Sequence, residues 1–153
     1  MTGENTRGRT LTPSLALAAL LVAAVALACD AQSEKRWPVP EAAKKVANPA
    51  KPTPQALNTS RRLYRELCEH CHGDAGKGDG TEAMMYSVKP ANFTDKKLMD
   101  AMTDGELFFK LTEGRRPMPS FKNSLSEEQR WQLVHFIRSF STPPAKGPAP
   151  ARK

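Results

Sequence analysis

The sequence predicts an all-α domain over residues 57–141, set between two irregular tails. Two observations predict it. Stretches with apolar residues at helical spacing, each opened by a capping residue, recur through this region, and no sustained strand-like alternation appears. Outside it the chain turns rich in Pro, Ala and Lys, and 13 prolines in 153 residues mark part of the protein as something other than packed core.

Residues 1–28 read as a signal peptide. Arg7 and Arg9 precede an unbroken apolar run from Leu15 to Ala28. A run of this length suits a secretory h-region and falls short of the ~20 residues that span a bilayer as a helix. An uncleaved anchor is the alternative. Gly8 separates the two arginines, so the twin-arginine signal is absent and the chain is expected to cross the membrane unfolded. Ala26-Leu27-Ala28 is a small-x-small cleavage site followed at once by Cys29. This segment resembles a bacterial lipobox, which implies lipidation of Cys29 and a lipid anchor. Asp30 after it implies retention at the inner membrane, in a periplasmic or extracytoplasmic location. Ordinary cleavage would instead leave Cys29 as a free thiol, a liability in an oxidising compartment.

Residues 29–56 have no apolar period and read as a linker, reaching about 30 Å as a flexible coil. Residues 142–153 read as a disordered tail. The formal charge of +7 lies mainly in these flanks, because residues 60–142 hold 13 basic and 12 acidic side chains. A nucleic-acid-binding body would cluster its basic residues, so no nucleic-acid partner is expected.

The first helix is expected from Thr59 to His70, with Thr59 and Ser60 as caps and Leu63/Leu67 and Tyr64/Cys68 repeating at four. The second is TDGELFFKLTEG, with a Thr103/Glu106 capping box and Gly114 as its stop. The third is SEEQRWQLVHFIRSF, with a Ser126/Gln129 capping box, a Leu133–Ile137–Phe140 stripe and Pro143 beyond it. GDAGKGDG and VKPANFTD read as loops. A core this small needs a staple.

Residues 68–73, CEHCHG, point to that staple. Three chemistries use a close cysteine pair. Structural zinc takes four ligands, and outside the cluster the chain offers only Cys29 and His135. A redox dithiol would open a helix in a βαβ unit, whereas this pair closes a helix in an α-rich chain. Covalent haem attachment has C-x-x-C-H as its signature. Two thiols about one turn apart each add to a porphyrin vinyl group, and the next residue projects an imidazole at the iron. Cys68 and Cys71 are then the thioether residues and His72 the proximal ligand, with His70 a solvated side chain inside the motif.

The sixth iron position calls for another ligand. Met raises the potential and gives an electron-transfer centre. Met84, Met85, Met99, Met102 and Met118 all lie downstream. Met118 is the choice because Pro117 and Pro119 stiffen the chain on both sides of it. The others stand in pairs or in an apolar segment, where gap-filling is the commoner role. His135 is the rival ligand, placed between apolar neighbours on the last helix.

CEHCHG, GKGDG, KPANFTD, LTEGRRPMPSF and WQLVHFIRSF together resemble a class I c-type cytochrome over residues 57–141. The resemblance implies a small all-α fold wrapped around one covalently attached haem c, with first and last helices crossing. It implies an aromatic at that crossing, matched by Phe136. It also implies a proline carbonyl that accepts the second N–H of the proximal histidine, and Pro90 is the candidate.

With His72 and Met118 both on the iron, substrate has no open site. The expected function is one-electron carriage by outer-sphere transfer in a bacterial respiratory or photosynthetic-type chain. Expected partners are a quinol oxidoreductase, a terminal oxidase or a dehydrogenase, with the membrane reached through the lipid anchor. Arg115, Arg116 and Lys122 around Met118 form either a collar that steers an acidic partner or merely solvated charges. The alternatives are a haem-bearing subunit of a larger oxidoreductase complex and a peroxidase-like haem enzyme. An enzyme would need an open iron with acid–base groups beside it.

Overall fold

A computed structural model describes residues 37–142. The expected signal peptide, Cys29 and the tail from Pro143 onward lie outside the described residues. The packed unit begins at Val39. Its elements are α1 (Glu41–Lys44), α2 (Pro54–Leu67), α3 (Glu69–His72), a 3-10 turn (Ala83–Met85), α4 (Lys96–Asp100), α5 (Asp104–Glu113) and α6 (Glu127–Arg138). Among the described residues the only β pairing is an isolated bridge between Arg115 and Met118.

The fold is organised by the packing of α2 against α6, with α5 also against α6. α2 buries Ser60 and Tyr64 and leaves Leu57, Leu63 and Leu67 partly covered, a stripe at spacings of three and four. α6 contributes Leu133 and Val134, both fully buried, and Ile137 to the same core cluster. The expected aromatic stands in this contact. The Phe136 ring lies 5.3 Å from Tyr64 and 5.2 Å from Phe140, and Tyr64 lies 5.1 Å from Phe140. Each such pair is worth about 0.5–1.5 kcal/mol beyond its buried area. Arg61 covers the other side of the cluster, its guanidinium carbon 5.9 Å from the Phe136 centroid.

The caps explain the helix ends. α6 begins at Ser126, whose hydroxyl accepts from the Gln129 N–H while the Gln129 side chain accepts from the Ser126 N–H, the expected capping box. α5 begins at Thr103 as expected, but only half of its box forms. Glu106 turns away to pair with Lys110 at 2.6 Å. α2 begins earlier than expected. Its cap is Thr53, which accepts from the Ala56 N–H, and Pro54 takes the first helical position, where a missing N–H costs nothing. Thr59 and Ser60, expected as caps, are therefore interior.

The linker expected over 29–56 is corrected from Val39 onward. Val39 is buried, α1 packs on α5, and residues 45–53 form a strap over α6. Three α6 groups hold this strap. The Trp131 carbonyl accepts from Asn48 Nδ2 (3.1 Å), Gln132 Nε2 donates to the Lys51 carbonyl (3.1 Å), and His135 Nε2 donates to the Ala50 carbonyl (2.8 Å). Gly105 on α5 makes the α1 contact possible, since a Cβ there would collide with the Ala43 and Val46 carbonyl oxygens. Arg138 ties α6 to the α4–α5 corner through Asp104 and the Met99 and Met102 carbonyls.

Candidate functional site

The site grows out of the break between α2 and α3. Cys68 closes α2, its N–H bonding the Tyr64 carbonyl at 2.8 Å. The Cys68 carbonyl then accepts from both Cys71 (3.1 Å) and His72 (2.8 Å), so one short turn presents all three motif side chains. Both thiols are free, Cys68 buried and Cys71 half-buried. Burial pushes the Cys68 thiol up to about 12, with the neighbouring Cys71 adding to the shift. Cys71 is also raised, by burial and then by Glu82, whose carboxylate lies 3.9 Å from its sulfur.

α3 stops at Gly73, whose φ of 78° lies in the left-handed region that suits glycine. Tyr64 donates its hydroxyl to the Gly73 carbonyl at 2.7 Å, which fixes the end of α3 to α2. The chain then folds back over α3. Gly78 N–H bonds the His72 carbonyl, Gly80 N–H the Cys71 carbonyl, Glu82 N–H the His70 carbonyl and Phe93 N–H the Gly76 carbonyl.

This loop orients His72. A carbonyl only accepts, so the 3.2 Å contact from His72 Nδ1 to the Ala91 carbonyl places a proton on Nδ1 and leaves the Nε2 lone pair available. Phe93 stacks on the imidazole at 4.4 Å and 14°. Burial lowers the His72 pKa, outweighing the Ala91 bond that raises it, and His70 lowers it further, so the ring is held neutral as a metal ligand must be. The acceptor is Ala91 and not Pro90, which corrects the expectation. The Pro90 carbonyl faces Gly78 instead, where a Cβ would come within 2.5 Å of its oxygen.

Met118 stands on a separate arm between α5 and α6. Arg115 and Met118 exchange both backbone hydrogen bonds, at 3.0 and 2.8 Å, around a cis Arg116–Pro117 peptide. Met118 is half-buried against the same apolar cluster that includes Cys68 and Phe93. The other methionines are placed differently. Met99 is fully buried, the Met102 sulfur lies 3.1 Å from Lys110 Nζ, and Met84 and Met85 are 94% and 73% exposed. His135 is committed to the strap. Of the three charges flanking Met118, Lys122 pairs with Glu113 at 3.7 Å, while Arg115 and Arg116 are exposed.

Among the described residues, His70, Cys71 and Glu82 also bring ligand atoms within 4.8 Å of one another, a group that shares Cys71 with the motif. The concavities by the strap are lined by residues such as Thr53, Ala56, Glu128 and Gln132, and none of Cys68, Cys71, His72 or Met118 reaches them. No helix among the described residues is long and apolar enough to cross a membrane. The donor set fits a haem: two unpaired thiols one turn apart, a neutral imidazole with Nδ1 already bonded, and an apolar wall beside it.

Comparison with known proteins agrees. Residues 55–137 match the family model of cytochrome c oxidase, cbb3-type, subunit III. A chain of the Kuenenia stuttgartiensis reducing HAO-like protein complex Kustc0457/Kustc0458 is 31% identical, with a TM-score of 0.53 over 70% of this chain. The match covers 52% of that chain, so this protein spans about half its length. The KustC0563 c-type cytochrome is 25% identical, with a TM-score of 0.48, over 54% of this chain and 98% of that one. A search of curated proteins returns no match. With its C-x-x-C-H elbow and all-α fold, the chain belongs to the cbb3-type cytochrome c oxidase subunit III family and is a class I c-type cytochrome that carries covalently bound haem c.

Proposed function

We propose that the protein is a one-electron carrier in which Cys68 and Cys71 hold the haem as thioethers while His72 and Met118 take the two axial positions. Cys68 and Cys71 would supply the thiol S–H groups that add across the two vinyl C=C bonds, an addition that loses nothing and needs no oxidant. When bound, the haem supplies a one-electron iron couple whose potential is raised by a methionine ligand.

The chain's own residues do the rest. The Ala91 carbonyl fixes the tautomer and ring orientation of His72 and increases its basicity. Phe93, stacked on that ring, keeps water from it. Met118, half-buried on the arm between α5 and α6, would supply the second ligand to the iron. Arg115 and Arg116, exposed beside Met118, are the charges available to steer an acidic partner.

The observation that carries this reading is the elbow itself, with two free thiols and a neutral, pre-oriented histidine on one turn. We assign residues 1–28 to an export signal and Cys29 to a lipid anchor, which places the protein outside the cytoplasm at the inner membrane. Its partners are then a quinol oxidoreductase, a terminal oxidase or a dehydrogenase. A second reading, service as the haem-bearing subunit of a larger complex, is favoured by the similarity to a chain of an HAO-like complex.

The test is the ferric holoprotein. Mass spectrometry should show one haem added to the polypeptide, and the visible to near-infrared spectrum should show a sulfur-to-iron charge-transfer band that disappears in Met118→Ala. A high-spin spectrum, or a band that persists in that variant, refutes the axial assignment. Palmitate-type labelling that depends on Cys29 tests the anchor.

A further inference from the structure

From the arm that carries Met118, we infer that Arg130 is a positioning residue that holds the Met118 sulfur at its ligand position. The inference rests on the axial assignment proposed above. Arg130 lies on the first turns of α6 and is 7% exposed, yet no carboxylate balances it among its described hydrogen bonds. Its guanidinium is aimed at the arm instead. Nη1 donates to the carbonyls of Phe121 (3.3 Å), Lys122 (2.9 Å) and Leu125 (2.7 Å). The guanidinium carbon lies 5.3 Å from the centroid of Phe108 on α5, so a face of the cation is also satisfied.

A charge is buried at a cost unless its surroundings compensate it. Here the compensation comes from backbone carbonyls that begin three residues after Met118. The arm has few other holds. On its α5 side Phe121 N–H bonds the Leu111 carbonyl at 3.0 Å and Ser120 Oγ bonds the Thr112 carbonyl at 2.6 Å. On its α6 side the guanidinium supplies the side-chain bonds from helix to arm. Removing it leaves the arm without these side-chain hydrogen bonds from α6, and the methionine then competes less well for the iron.

The readout is competition with an added ligand. Imidazole binds ferric iron only where it displaces Met118, so its apparent affinity measures how firmly the arm holds the sulfur. In the full-length ferric holoprotein, Arg130→Met should raise apparent imidazole affinity by about tenfold or more, because hydrogen bonds from a charged donor are the stronger kind. It should also weaken the charge-transfer band. Arg130→Lys should fall between, with a rise of about threefold, since an ammonium cannot reproduce the planar fork. Ser126→Ala, which lowers stability by uncapping α6, should leave imidazole affinity unchanged and so separates positioning from general loosening.

Imidazole affinity within about twofold of wild type in Arg130→Met, while Met118→Ala raises it strongly, overturns the inference and leaves the axial assignment intact. No change in Met118→Ala brings down the axial assignment, and this inference with it. Should Arg130→Met yield no holoprotein, Arg130→Lys decides, and an unchanged affinity there overturns the proposal.

Discussion

Between Tyr64 and Phe93 the chain is pinned by its own backbone. The α3 turn bonds to the Cys68 carbonyl, four loop N–H groups bond back, and the Tyr64 hydroxyl locks the end of the turn. Between Gly114 and Ser126 the chain is held mostly by side chains reaching across, from Ser120 and Arg130, plus the single Arg115–Met118 bridge and the Phe121 bond. Both regions offer a ligand, yet they differ in kind. The elbow joins the cofactor through two covalent bonds in the proposed reading. In the same reading the arm would contribute one coordinate bond, whose strength depends on how little entropy the methionine has left to lose. A fixed side and an exchangeable side follow, and substitutions should tell them apart.

The largest effect belongs to the elbow. Replacing Cys68 and Cys71 together by Ala should yield exported polypeptide with no haem mass, whereas Met118→Ala should keep the full haem mass and change only its spectrum. Haem mass lost from Met118→Ala would erase the distinction. Next is Phe136→Ala, which empties the space between Tyr64 and Phe140 and should cost about 3–5 kcal/mol in a denaturant titration. Because this cluster lies under the elbow, the charge-transfer band should survive at temperatures below the lowered transition.

Tyr64→Phe is more local. The Gly73 carbonyl loses its donor, and about 1–3 kcal/mol of stability should go with it, with Met118 ligation unaltered. A weakened sulfur band in this variant would show the two sides to be coupled. Ser120→Ala is its counterpart on the arm. It removes the donor to the Thr112 carbonyl, should cost about 1 kcal/mol, and should raise imidazole affinity severalfold. The smallest effect is expected from Asn48→Ala in the strap, about 0.5–1.5 kcal/mol of stability with neither ligand disturbed.

What could be read from the sequence follows the range of the interaction. The α6 capping box, the Thr103 cap and the C-x-x-C-H turn are each written within five residues, so residue identity and spacing revealed them. Met118 was singled out by its flanking prolines, and the structure places it half-buried on the arm. The strap was not. Its bonds join residues more than 80 positions apart and use carbonyls of Ala50 and Lys51, which every residue type possesses. The Ala91 acceptor was missed for the same reason. A carbonyl's direction is set by the tertiary path of the loop, here by the approach of Gly78 to Pro90, and the side chain carries no sign of it. Nothing in the residue order sets Arg130 apart from the other charges on the helices, and only its burial does so.

The strap has a mechanical consequence. A pull applied to the chain at Val39 meets the three bonds to Trp131, Gln132 and His135 before it reaches the first turn of α2. Tension is thus delivered in shear to the last helix, and the segment bearing the thiols is spared. Two of those three stitches grip main-chain oxygens of the strap, so Lys51 is free to drift in identity while Gln132 and His135 are constrained.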